Sequence, residues 1–274
     1  LCLQAPSGRD LVAWLHALRR AFFAHAAPPP GLADASGVYA VFGAAFQDDG
    51  PGLRRLLRKH STSALLAARD GAGNPPLLVA ARHGAGKVLH TLLRWGADVA
   101  DVNLNGETAL CAAAARGAVA CVDMLVRSVM AACRTRGEDA AGAVDVTVNH
   151  SCVGGVTPLM FAAAMGRPEA MEALLLLGAD VMAADDAGRT VVHYAAAAQG
   201  TLMGGGHHCT DALDWFDGAG NTPLAVAAGD GWEAGVRMLV EGGASPHAWN
   251  VDGHTPVVHA AVGRHEAATG VLVA

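Results

Sequence analysis

The sequence predicts an all-α repeat solenoid, and three observations carry that prediction. A Thr-Pro-like step recurs at Pro75-Pro76, Thr108-Ala109, Thr157-Pro158, Thr190-Val191, Thr222-Pro223 and Thr255-Pro256, at intervals of 33, 49, 33, 32 and 33 residues. A glycine stands two places before every one of these steps, from Gly73 to Gly253. Alanine pairs follow five and six places after each step, as at Ala80-Ala81, Ala113-Ala114 and Ala227-Ala228. Self-similarity near that period marks stacked units, each burying its apolar face only against its neighbours.

Taken in chain order, Asp10 to His25 reads as an amphipathic helix with Leu11, Leu15, Leu18 and Phe22 on one face. Pro28-Pro29-Pro30-Gly31 then punctuates a linker, setting residues 1–30 apart from the array that follows. This helix either packs over the first unit as a lid or belongs to a preceding domain. Tyr39 to His60 is a degenerate first unit, with Ala44-Ala45 and Leu56-Leu57 in phase but no Thr-Pro step. A worn terminal unit is expected, because a cap meets a neighbour on one side and water on the other.

Each regular unit has a mechanical logic. Thr followed by Pro supplies an N-cap and a first helical residue that needs no backbone N–H. The alanine pair keeps that first helix thin, so neighbouring helices can approach closely. Gly84, Gly117, Gly166 and Gly231, nine places on, suit helix ends that need positive φ. A second helix carries an aliphatic pair such as Leu92-Leu93, Leu174-Leu175 or Leu239-Val240. It stops at Gly96-Ala97-Asp98, Gly178-Ala179-Asp180 or Gly243-Ala244-Ser245. Asp or Asn five places before the step (Asp70, Asn103, Asp185, Asp217, Asn250) is turn chemistry, giving a short projecting hairpin; Cys152 is the misfit.

Two units depart from this pattern. The 49-residue interval holds an insertion at about 128–150: the second helix runs on towards Arg136, and a Gly/Ala/acid loop follows. Within it, Gly142-Ala143-Val144-Asp145-Val146 reads as a delayed copy of the usual ending. Such insertions are either functional loops or tolerated decoration. In the unit beginning at Thr190, Gly204-Gly205-Gly206-His207-His208-Cys209 stands where a leucine-bearing second helix belongs, which makes that interface weak. The close on Leu272-Val273-Ala274 lacks the glycine turn, so further repeats or another domain are expected beyond it. The start without Met fits a fragment and leaves room for a removed targeting segment.

The G-x-T-P-L, A-A, L-L and G-A-D positions resemble the ankyrin-repeat family over residues 38–274. About seven repeats would start near 38, 70, 103, 152, 185, 217 and 250, the first degenerate. The resemblance implies a stack of helix-turn-helix units with projecting β-hairpin fingers. It also implies a non-enzymatic module that binds a protein partner on its concave hairpin and inner-helix face. In the family, partner contacts tend to fall four, three and one places before the Thr position and seven, eight or ten after. Carried onto this chain, the implied contacts are Arg82, His83, Glu107, Arg116, Met165, Asp186, Arg189, Asp230, Trp232 and His254, with Trp249 on the last hairpin. Asn74 and Asn221 occupy the same phases. Trp and Arg lead this set, because they dominate binding energy at interfaces. The structural alternative is that these are merely solvated positions on a face otherwise bare with Ala and Gly. The resemblance also makes His193, three places after Thr190, the histidine that links adjacent hairpins.

Composition narrows the function further. A net charge of −6 with no basic stripe argues against nucleic-acid binding. No apolar run reaches membrane-spanning length, and Arg116 interrupts the likeliest one. Six cysteines at 2, 111, 121, 133, 152 and 209 show no paired spacing, which reads as free thiols in a reducing, cytoplasmic setting, nuclear included. His207-His208-Cys209, with Asp211 and Asp214, is the one group of metal-ligand side chains. Adjacent histidines rarely reach one ion, so a solvated loop is the plainer reading and a metal-responsive element the sharper one. No nucleophile elbow, P-loop or Rossmann glycine pattern is present, so neither a catalytic residue nor a cofactor is expected. The expected state is a monomer with one protein partner. The alternative is the substrate-targeting arm of a larger enzyme, a ligase or kinase, whose catalytic domain lies outside this chain.

Overall fold

Each Thr-Pro-like step opens a short helix, as the spacing requires. The structure, a computed structural model, describes residues 37–198 and 212–273. The predicted N-terminal helix, the Pro-rich linker and the His207-His208-Cys209 group lie outside the described residues. The described helices, numbered in chain order, are α1 Val38–Gln47, α2 Gly50–Lys59, α3 Thr62–Leu66, α4 Pro76–His83, α5 Gly86–Arg94, α6 Ala109–Arg116, α7 Val119–Arg136 and α8 Ala140–Val148. They continue with α9 Pro158–Ala164, α10 Pro168–Leu176, α11 Val191–Ala197, α12 Pro223–Gly229, α13 Glu233–Glu241, α14 Pro256–Val262 and α15 Glu266–Val273.

The caps follow the sequence closely. The Thr108, Thr157 and Thr222 hydroxyls accept from the backbone N–H groups of Cys111, Met160 and Ala225, each three residues on. Gly84 and Gly117 end α4 and α6 at φ 67° and 80°, a conformation that costs residues with a Cβ. At α5 a second capping device comes from outside the unit. Asp48 Oδ1 accepts from the Lys87 and Val88 N–H groups at 2.9 and 3.1 Å, satisfying the first turn of α5.

First helices pack on first helices, and second on second. One row runs α1, α4, α6, α9, α11, α12, α14, each helix touching the next; α2, α5, α7 and α10 form a parallel row, and α13 touches α15. The thin first helices are buried along nearly their whole length, for example every residue from Ala109 to Ala115. Leucines of the second helices (Leu89, Leu92, Leu125, Leu174, Leu239) are fully buried between neighbours. Each such side chain contributes about 2 kcal/mol of burial that no unit could obtain alone.

Two expectations are corrected. The insertion is not a loop after Arg136. Residues 140–148 form α8, capped by Asp139 through the N–H groups of Ala141 and Gly142, and α8 packs on the extended α7. A carboxylate cap precedes a run without proline, and the extended α7 offers the helix a surface, with Val148 buried and Val146 left exposed. The Gly142-Ala143-Val144-Asp145 copy therefore sits inside a helix, and the turn function passes to Asn149, whose Oδ1 accepts from the Asp180 N–H at 2.8 Å. The β-hairpin fingers are also shorter than expected. Among the described residues the only strand-like pairing is the isolated bridge between Val102 and Thr108, so the fingers are tight turns. No described helix is long and apolar enough to cross a membrane.

Candidate functional site

The fingers are built from one repeated side-chain device. Asp70 Oδ1 accepts from the N–H groups of Ala72 and Asn74, two and four residues on, both at 2.9 Å. Asn103, Asp185, Asp217 and Asn250 do the same in their own turns, at 2.8–3.0 Å. The glycine two before each Thr then takes φ between 71° and 76° to close the loop. Cys152 cannot accept in this way, and its finger uses backbone bonds and a second left-handed glycine, Gly154.

Successive fingers are tied together. Val153 donates its N–H to Asn105 O (2.9 Å), Asp186 to Gly154 O (3.0 Å), Gly218 to Ala187 O (2.6 Å) and Val251 to Ala219 O (3.3 Å). Side chains add to these ties. The Asn103 amide donates to Asn74 Oδ1 at 2.9 Å, and the Asn250 amide to Asn221 Oδ1 at 3.0 Å. His193 accepts the Thr190 N–H at Nδ1 (3.2 Å), so its Nε2 carries the proton donated to Asn221 O at 3.1 Å. That is the linking role the resemblance implied. Burial holds the ring neutral, below the usual histidine range, against the smaller opposing pull of Asp217 and Asp185.

This tying decides where the implied contact residues lie. Four of them are inside the protein. Arg82 pairs with Glu107 at 3.2 Å, both nearly fully buried, and the Asn103 amide donates to the same Glu107 oxygen at 2.7 Å. Burial lowers the Arg82 guanidinium from its usual value, opposed by Glu107 and Asp70. Arg189 is 1% exposed and grips Asp185 Oδ2 at 2.7 Å, where the Tyr194 hydroxyl also donates. Met165 is buried at the end of α9. The position one before Thr is covered by the following finger, which is why Glu107 and Arg189 face inward. His254, on the last described finger, remains exposed, with its ring edge-on to His259.

The other implied contacts divide. His83 is half-buried against the Phe46 ring, with centroids 4.3 Å apart. Trp232 is half-buried and lies flat over Gly235, where any Cβ would collide with the indole. Asp230 is half-buried, and burial raises its carboxyl to about 6, opposed by nearby His265. Arg116, Asp186 and Trp249 are exposed, Trp249 at 72%.

Two features escaped the sequence reading. Position ten after Thr reaches back over the preceding unit: Arg167 Nε donates to Ala115 O and lies against Gly117, while His265 bonds Gly229 O at 3.0 Å and covers Gly231. The second feature is an apolar edge. Val102, Phe216 and Trp249, six before Thr, are exposed together with Leu104, Val153 and Val251, four before it. The signal was present, since an apolar residue recurs at one turn position where polar residues usually serve. Burial raises the Cys111 thiol to about 11 and pushes Cys152 higher still, so neither is a ready nucleophile or ligand. Among the described residues no group of three His, Cys, Asp or Glu side chains could hold a metal ion.

Residues 77–185 match the family model for ankyrin repeats, in 3 copies. The helical stack resembles the crystal structure of the human ASB11 ankyrin repeat domain (TM-score 0.66, 21% identity, 85% of this chain and 96% of that one). It also resembles the crystal structure of the ankyrin repeat domain of Bcl-3 (TM-score 0.63, 22% identity, 88% and 99%). The fold and the turn geometry thus define an all-α repeat solenoid. The chain carries ankyrin repeats. Over 159 residues it is 32% identical to the E3 ubiquitin-protein ligase KEG of Arabidopsis thaliana, a match taking 55% of this chain and 9% of that protein. The chain therefore spans under a tenth of the length of this curated relative.

Proposed function

We propose that the chain is a non-enzymatic module that holds one protein partner along its finger edge and the adjoining ends of the first helices. The observation that carries this reading is two groups of exposed apolar residues, Val102, Leu104 and Val153 on one pair of adjacent fingers and Phe216, Trp249 and Val251 on another, on turns locked by side-chain and inter-finger hydrogen bonds. Rigid turns present apolar anchors at little ordering cost, the condition for tight binding on a small area. Trp249, exposed Asp186 and His254 on the fingers, and exposed Arg116 at the C-terminal end of α6 are the contacts retained from the implied set. The partner is held by a monomer in a reducing compartment, in keeping with the free, buried thiols of Cys111, Cys121, Cys133 and Cys152. Affinity purification tests the proposal. A Leu104→Ser/Trp249→Ser/Val251→Ser variant should lose a partner that the parent retains, with an unchanged unfolding midpoint. Identical partner lists would defeat it.

A second reading has one observation in its favour: the similarity to part of a ubiquitin ligase. In it, the same edge selects substrates for a catalytic domain encoded elsewhere in a longer gene. Sequencing the full-length transcript on both sides of this segment separates the two.

A further inference from the structure

The first helix pair carries a second, differently charged surface. α1 and α2 enclose an open cleft of about 430 Å³ with a floor of Ala40, Gly43, Ala44 and Leu56 and a rim of Arg55 and Lys59 with one carboxylate, Asp49. No residue of α4 or α5 lines it. In α6 the residues matching Ala40, Gly43 and Ala44 are Ala109, Ala112 and Ala113, all buried under the preceding helix pair. Here Ala40 is exposed and Gly43 half-exposed, so among the described residues positions that are covered in α6 are open to a further helix.

Its charge runs against that of the whole chain. α2 bears Arg54, Arg55, Arg58 and Lys59, all exposed, and no acidic residue. None of the four forms an ion pair among the described residues. The nearby carboxylates are engaged: Asp49 accepts from the Gly52 N–H at 2.8 Å, and Asp48 from the N–H groups of Lys87 and Val88. Four exposed cations on one helix of a protein with net charge −6 form a local positive field. The chain's own residues 1–36, with three arginines and two aspartates, have the same sign as the rim.

We propose that this cleft binds an amphipathic helix of a partner protein, with small or aliphatic residues set on the Ala40/Gly43/Ala44 floor and an acidic flank paired with Arg55 and Lys59. The small-residue floor admits a helix at close range, and the cationic rim fixes its orientation and selects against basic helices.

The test is fluorescence anisotropy of the full chain with a labelled Leu/Ala helical peptide flanked by Glu, a Lys-flanked twin and vesicles containing phosphatidylserine. The Glu peptide should bind, weaken with added salt, and lose about tenfold or more in affinity in Arg55→Glu/Lys59→Glu. Gly43→Phe should lose binding as completely. A Cβ at Gly43 meets nothing within 4 Å, so the ring has room to enter the cleft, and an unchanged unfolding midpoint checks that the variant keeps the fold. The finger-edge triple variant should bind the peptide as the parent does, which separates this site from the proposed function. Equal binding of the Lys twin, or full binding by Gly43→Phe, overturns the proposal. So does capture of vesicles alone, a lipid site. Stronger peptide binding in Leu15→Asp/Leu18→Asp would make the chain's own N-terminal segment the occupant, and self-association abolished by Gly43→Phe would make it a second copy; either also overturns the proposal.

Discussion

The Nε2 of His193 lies 3.1 Å from the carbonyl oxygen of Asn221, 28 residues further along, while its Nδ1 accepts the Thr190 N–H at 3.2 Å. One neutral imidazole thereby caps its own helix and fastens the next finger. No other side chain among the described residues does both, because the role needs a donor and an acceptor on opposite sides of one rigid ring.

Replacing His193 by Ala should therefore cost about 2–4 kcal/mol, from a lost cap, an unsatisfied carbonyl and a cavity. Urea unfolding measures it. A loss within a few tenths of a kcal/mol would mean the neighbouring fingers hold the joint without the ring.

Acid should loosen the same joint. Burial lowers the folded pKa of His193, so below about 6.5 the unfolded chain binds a proton that the folded chain refuses. Stability then falls as pH drops through that value, with half-buried His259 acting in the same direction. Denaturant midpoints between pH 5 and 8 should slope upward with pH, and the slope should shrink in His193→Ala.

Asp230 should act with the opposite sign. Its carboxyl, raised to about 6 from 3.8, is ionised at an energetic cost above that value and relieved by protonation below it. Asp230→Asn should be the more stable protein at pH 7, with the advantage vanishing as pH falls through the interval between those two values. Thermal melts at both ends of that window decide it.

The Arg82–Glu107 pair should behave as a structural element. Arg82→Ala strands a buried carboxylate and should cost about 3–5 kcal/mol, whereas Arg82→Met with Glu107→Gln should recover much of it. A double-mutant cycle by chemical denaturation provides the check.

Glycine at the fingers gives a paired test. A Cβ on Gly155 would come within 2.9 Å of the Asp185 Cα and the Asp186 N at φ 76°; on Gly253, at φ 75°, it meets nothing. Gly253→Ala should cost about 1 kcal/mol of backbone strain, and Gly155→Ala clearly more, because the next finger's backbone must shift. Equal losses would show that the fingers are not in contact.

The period made most of the helical pairing legible, because caps and glycine turns are local chemistry read directly from residue type. What it could not give was the direction of side chains at the joints. Arg82, Glu107 and Arg189 are charged and sit at phases associated with partner contact, yet the following finger closes over them. Simultaneous loss of Arg82, Arg116 and Arg189 would therefore damage the stack as well as any binding surface. The insertion departs from the sequence expectation for a related reason. Residues 140–148 lack the apolar spacing of a core helix, and α8 forms because the extended α7 offers it a surface. The apolar finger edge was visible as letters, but its exposure depends on how far apart the turns stand.

Hydrogen–deuterium exchange on the array with its captured partner tests the central claim most directly. The account predicts new protection at residues 102–105, 151–154, 215–219 and 249–252, with α5, α7 and α10 unchanged. Protection confined to those second helices, with the finger edge exchanging freely, would contradict it.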